Sequence, residues 1–133
     1  MRNVVLVFLL LNFGCVNSPT EELLVGTWKY NMDATLEEMQ GRGAAETEIN
    51  YMKSILIGLK EASISFQDNG EVLFSMPEIE ENGSWKILKR NNELILDLNG
   101  NEQRSIIDHI VSDTLILTPP EGEDGLLRVL TNS

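Results

Sequence analysis

From Ala62 onward, apolar residues recur at every second position, and the runs are cut by short pairs that favour tight turns. Ile64 and Phe66 alternate with Ser63, Ser65 and Gln67. Val72, Phe74 and Met76 follow beyond Asp68-Asn69-Gly70. Pro77 to Glu81 is a polar break, Asn82-Gly83 reads as another turn, and Trp85 and Ile87 open the next strand. Leu94, Leu96 and Leu98 come after Asn91-Asn92, and Asn99-Gly100-Asn101 turns the chain again. Arg104 to Val111 reads as a strand whose inward face is ambiguous, followed by a turn at Ser112-Asp113. Leu115 to Leu117, a long acidic loop at Pro119 to Gly125, and Leu126 to Leu130 complete the pattern. A period of two sends successive side chains to opposite faces of a strand, and burial of one face only is what an antiparallel sheet permits.

With Leu23 to Tyr30 as a first strand, the pattern makes eight strands joined mostly by hairpin turns. Consecutive hairpins make antiparallel neighbours. Closing such a sheet on itself removes its exposed edges. The expected fold is therefore all-β with a helical insertion: an eight-stranded antiparallel up-and-down barrel over residues 23–133. The insertion follows the first strand. Thr35-Leu36-Glu37-Glu38 has the form of a capping box, and Gly41 and Gly43 keep that helix short. Ile49, Met52, Leu56 and Leu59 are spaced by three, four and three residues, which puts them on one helical face widened by Tyr51 and Ile55. That face is expected to pack on the barrel.

The N-terminal residues point to export. Arg2 precedes Val4 to Leu11, a run of eight apolar residues, and polarity rises after Cys15. Eight residues fall far short of the roughly 20 needed to span a bilayer, but suit a secretory signal. Residues 1–14 are expected to be the signal peptide. Residues 15–22 are expected to be a cysteine followed by a tether, with Pro19 interrupting any local helix. Gly14-Cys15 matches the signal of bacterial lipoproteins, in which the cysteine after a small residue carries lipid. Leu11 stands one place early for that pattern, and Asn12 and Phe13 depart from it. Cys15, the single cysteine, is the expected lipidation site and membrane anchor. Without Asp after it, Val16 points to the outer membrane of the cell envelope.

Charge and chemistry exclude several classes. There are 21 acidic and 10 basic residues, net −11. Loss of residues 1–14 removes Arg2 and no acid, giving −12. Such a surface repels phosphate backbones and argues against nucleic acid as a partner, while a cationic protein would be attracted. His109 is the single histidine, too few soft ligands for zinc. Glu78, Glu80 and Glu81, and Glu121, Glu123 and Asp124, lack the spacing of a calcium loop and read as solvated turns. No nucleophile elbow and no glycine-rich phosphate loop occur. Asp108 and Arg128 could pair in the barrel, but no paired carboxylates for acid–base work are evident. No catalytic residue, metal or cofactor is expected.

Gly26-Thr27-Trp28, the helical insertion, Phe66-Gln67-Asp68-Asn69-Gly70, Gly83-Ser84-Trp85 and Arg128 together resemble the lipocalin-like domains of bacterial, Bacteroidetes-type, lipoproteins. The likeness spans Leu23 to Thr131. It implies a barrel that often encloses a cavity for a small apolar ligand. Inward-facing Tyr30, Phe66, Phe74, Met76, Trp85 and Leu96 are the cavity candidates. It also places Trp28 and Arg128 where the first and last strands close the barrel, where the guanidinium is expected to stack on the indole. A packed, empty barrel that docks a cationic protein stays open as the alternative.

Overall fold

The computed structural model describes residues 19–90, 92–123 and 125–132. The expected signal peptide, Cys15 and most of the expected tether lie outside the described residues. Eight antiparallel strands form a closed barrel in which each pairs with its sequence neighbours and the last returns to the first. They are β1 (Gly26–Tyr30), β2 (Ser63–Phe66), β3 (Glu71–Met76), β4 (Ile79–Leu88), β5 (Glu93–Leu98), β6 (Asn101–Ile110), β7 (Thr114–Thr118) and β8 (Arg128–Asn132). Among the described residues three helices accompany them: α1 (Pro19–Leu24), α2 (Met32–Gly41) and α3 (Glu46–Gly58).

The alternating residues meet inside. Trp28, Ile64, Phe66, Val72, Trp85, Ile87, Leu94, Leu96, Leu98, Ile107, Leu115, Leu117 and Leu130 form one buried cluster. The β5–β6 hairpin turns on Asn99 and Gly100, both with positive φ, the conformation that a two-residue hairpin loop with right-handed strand twist requires.

Several boundaries differ from the sequence reading. Leu23 and Leu24 end a short helix and are not strand residues. Pro19 stands at its first position, where the missing N–H breaks no helical bond. Leu24 is fully buried, and its carbonyl accepts the Trp28 indole N–H at 2.8 Å, so α1 closes the end of the barrel where β1 begins. Asn82-Gly83 is no turn; β4 runs straight through it. A Cβ on Gly83 would run into the carbonyl of Asp97, so glycine is there for close strand approach. In β6 the register shifts between Ile107 and His109. Ser105 and Ile107 are buried before that bulge, and Ile110 packs against the core after it. The bulge changes which parity faces inward, the reason that strand's inward face was ambiguous. Leu126 and Leu127 belong to the preceding loop, and β8 starts at Arg128.

Thr35 does not cap its helix either. Asn31 does, its side chain accepting from the Ala34 N–H at 2.9 Å. Thr35 is buried inside α2 and bonds to β8. Helix α3 starts where the Glu48 carboxylate accepts the Ala45 N–H at 2.9 Å. Met52 and Leu56 of the expected face are buried, and Ile49, Ile55 and Leu59 are half-buried. Tyr51 and Ile57 face solvent at 63% and 65% exposure. Among the described residues no helix is long and apolar enough to cross a membrane.

Candidate functional site

The inner surface of the barrel is filled unequally along its axis. Near the α1 end, Leu24, Trp28 and Trp85 occupy the interior. The Trp85 indole donates to the Gln67 carbonyl at 2.9 Å and meets Phe66 edge to face, 5.7 Å between centroids. That geometry suits the ring quadrupoles and makes a rigid floor. Toward the end where β1 finishes and β8 starts, the side chains stop short of filling the lumen. A cavity of about 170 Å³ remains, walled mainly by Ile64, Phe66, Phe74, Leu96, Leu98, Leu115, Leu117 and Leu130. An eight-stranded barrel is near the width at which side chains just fill it, so a void of this size reflects which residues stand at this level. Tyr30, Glu81, Gln103 and Arg128 complete the wall.

Tyr30, Gln103 and Arg128 also border a second space of about 310 Å³, formed with Leu59, Ser105, Pro119, Pro120, Glu123 and Leu126. These three residues therefore stand at the junction between the apolar lumen and an outer crevice. The end of the insertion and the 119–127 loop shape that crevice.

Arg128 is the unusual member. It precedes Leu130 by two residues on β8, so the two share the inner face. Its Nη2 donates to the Ser105 hydroxyl at 2.6 Å. Its Nε is shut off from solvent and has no hydrogen-bond partner. Burial pushes the guanidinium below its ordinary pKa, with Tyr30 acting in the other direction. Burial likewise pushes the Tyr30 phenol up, opposed by the charge on Arg128. Among the described residues no carboxylate makes an ion pair with Arg128. Asp108, considered above as its partner, lies on the outside and pairs with Arg42 at 2.7 Å. Glu81, at the cavity rim, accepts from the Asn99 amide at 2.8 Å.

The structure does not bring Trp28 and Arg128 together. Trp28 pairs across the seam with Asn132, and Arg128 pairs with Leu117. Asn132 lies four positions along β8 from Arg128, roughly 13 Å of strand. The strands at the seam are staggered, so the aromatic residue near the arginine is Tyr30. Of the six cavity candidates, Tyr30, Phe66, Phe74 and Leu96 line the cavity. Trp85 lies in the packed floor. Met76 borders a crevice formed with Ile57, Pro77 and Ile79. The alternation had already marked Ile64, Leu98, Leu115, Leu117 and Leu130 as strand residues, but not at the level of the cavity. Nothing local pointed to Gln103 or Glu81.

A larger space of about 750 Å³ lies between the helical hairpin and the 119–127 loop. Arg42, Gly43, Glu48 and Tyr51 of its lining are solvent-exposed, which makes it a surface trough. Among the described residues no group of three or more His, Cys, Asp and Glu is arranged to hold a metal ion; His109 is exposed.

Fold and lumen define a class: a closed eight-stranded antiparallel barrel with a helical hairpin after its first strand and a small, mostly apolar interior cavity. A crystal structure of a DUF4847 family protein from Bacteroides vulgatus ATCC 8482 is similar, with a TM-score of 0.53 and 14% identity over 85% of this chain and 96% of that one. At that identity the likeness is one of fold. No family model matches the sequence, and no curated protein does.

Proposed function

We propose that this chain is a lipid-anchored envelope protein whose barrel binds a small, largely apolar molecule in its lumen. The observation that carries the reading is the cavity of about 170 Å³ bounded by apolar side chains above the Trp85–Phe66 floor. Apolar cavities of roughly 150 Å³ stay dry and accept a ligand the size of benzene. The outer crevice lends a route of entry. The anchor rests on the sequence: the apolar run Val4 to Leu11 and the Gly14-Cys15 pair.

The test is an NMR titration of the isolated domain with benzene, whose size suits the cavity. Resonances of Phe74, Leu96 and Leu117 should shift, and those of exposed Tyr51 should not. Leu117→Trp fills the lumen and should abolish the response. A wild-type domain with no lumen shifts at saturating benzene ends the binding reading. For the anchor, Cys15→Ser should move the protein from the membrane fraction to the soluble one.

A further inference from the structure

We propose that the lumen is built for an anionic amphiphile, a small monocarboxylate whose apolar body fills the cavity and whose carboxylate is held at the junction by Arg128 and Tyr30. The proposal rests on the lumen being a ligand site and adds the ligand's chemical class.

Burying an arginine at this position is costly. A guanidinium carries five donors and no acceptor, and it stays charged under ordinary conditions. Placing it among leucines sacrifices hydration, and a buried charge is normally paired or fully hydrogen-bonded. Here one donor group reaches Ser105 and the buried Nε reaches nothing. If packing alone mattered, an apolar residue following Leu126 and Leu127 would serve as well. The N–H groups of the guanidinium that border the lumen match a carboxylate, an acceptor of charge-assisted bonds.

The surroundings select the rest of the ligand. Arg128 and Tyr30 sit where the lumen opens to the outer crevice, and the lumen beyond them is apolar as far as the Trp85 floor. A molecule with its charge at one end would place that end on the guanidinium and its hydrocarbon among Phe74, Leu96 and Leu117. The Tyr30 hydroxyl, kept protonated by burial, would serve as a donor to the same carboxylate. The volume limits the body to about the size of a benzene ring or a six-carbon chain. An inorganic anion would leave the apolar part of the lumen unused, and a neutral hydrocarbon would leave the arginine unanswered.

The experiment compares hexanoate, hexanol and acetate by NMR titration of the isolated domain in a buffer free of other carboxylates and of phosphate. Hexanoate should bind in the lumen at least about tenfold more tightly than hexanol or acetate, since charge-assisted bonds in a desolvated site are the strong ones. Arg128→Met should erase that preference while hexanol still binds, which shows that the cavity persists. Arg128→Lys should retain part of the preference. If that Met variant fails to fold, the wild-type contrast and the Lys variant decide. Equal or tighter binding of hexanol overturns the anionic assignment and leaves the lumen as an apolar site. Acetate binding as tightly as hexanoate overturns the amphiphile in favour of a bare anion site. A hexanoate preference that survives Arg128→Met removes Arg128 as the reader. Absence of lumen binding by all three overturns both this proposal and the binding reading beneath it.

Discussion

The Thr35 hydroxyl accepts the Val129 backbone N–H at 2.9 Å, 94 positions away in the chain. The same hydroxyl donates to the Asn31 carbonyl at 2.7 Å, and the Asn31 N–H donates to the Val129 carbonyl at 2.8 Å. β1 has ended at Tyr30, so α2 takes over the role of a neighbouring strand at the seam. A helical residue thus satisfies a buried strand amide that would otherwise have no partner.

Thr35→Val keeps the shape and removes the hydroxyl. It should cost about 1–3 kcal/mol in chemical denaturation, because the Val129 amide is left buried and unpaired. Thr35→Ser should cost less. Hydrogen exchange at the Val129 amide should accelerate in the valine variant relative to amides in β5. An unchanged exchange rate there would show that the hydroxyl does not hold the seam.

Helix α3 should behave as an integral cover and not as a loose appendage. Leu56 is 3% exposed, so Leu56→Ala should destabilise by about 2–5 kcal/mol. Ile57→Ala, its exposed neighbour, should stay within about 0.5 kcal/mol of wild type. A loss of similar size at both positions would contradict the helix orientation seen here.

Trp28 and Arg128 should act independently. Trp28→Phe removes the indole bond to Leu24 and should loosen α1, which limited proteolysis near residues 19–24 can detect. In a double-mutant cycle, Trp28→Phe and Arg128→Lys should add within about 0.3–0.5 kcal/mol, as residues without shared partners do. A larger coupling would restore the stacked pair that the stagger of the seam rules out.

Tyr30 should leave a signature at alkaline pH. Its pKa is raised in the folded protein, so between its unfolded and folded values the folded state binds more protons than the unfolded one. Stability from this group is complete below about pH 10 and declines as pH rises toward the folded value. Arg128 is shifted down and contributes the opposite slope, so the informative comparison is with Tyr30→Phe, which retains Arg128. The phenylalanine variant should lose less stability than wild type between about pH 9 and pH 11. Parallel curves would mean that the Tyr30 hydroxyl is not buried as described.

Much of the barrel is legible in the sequence because its signals are local. Alternation at Ile64–Phe66, Val72–Met76 and Leu94–Leu98 follows from the two-residue period of a strand. Asn69-Gly70 and Asn99-Gly100 turn the chain because glycine, and asparagine less freely, accept positive φ. Asn82-Gly83 carries the same local signal and was overruled, because there the glycine answers a backbone contact with Asp97 on a neighbouring strand. Leu23 and Leu24 were equally ambiguous: two apolar residues suit a strand or a helix, and the choice came from Leu24 fitting the end of the barrel.

By itself, then, the sequence determined the number and order of the strands, the helical hairpin between the first two, and the inward face of most of them. Each of those depends on residues a few positions apart. The tertiary structure alone decided the offset between β1 and β8, and that offset set Arg128 beside Tyr30 at the mouth of the lumen instead of beside Trp28. It also decided that the side chains at that level leave a cavity. Both depend on how eight staggered strands close, a relation between residues about a hundred positions apart that no local pattern encodes.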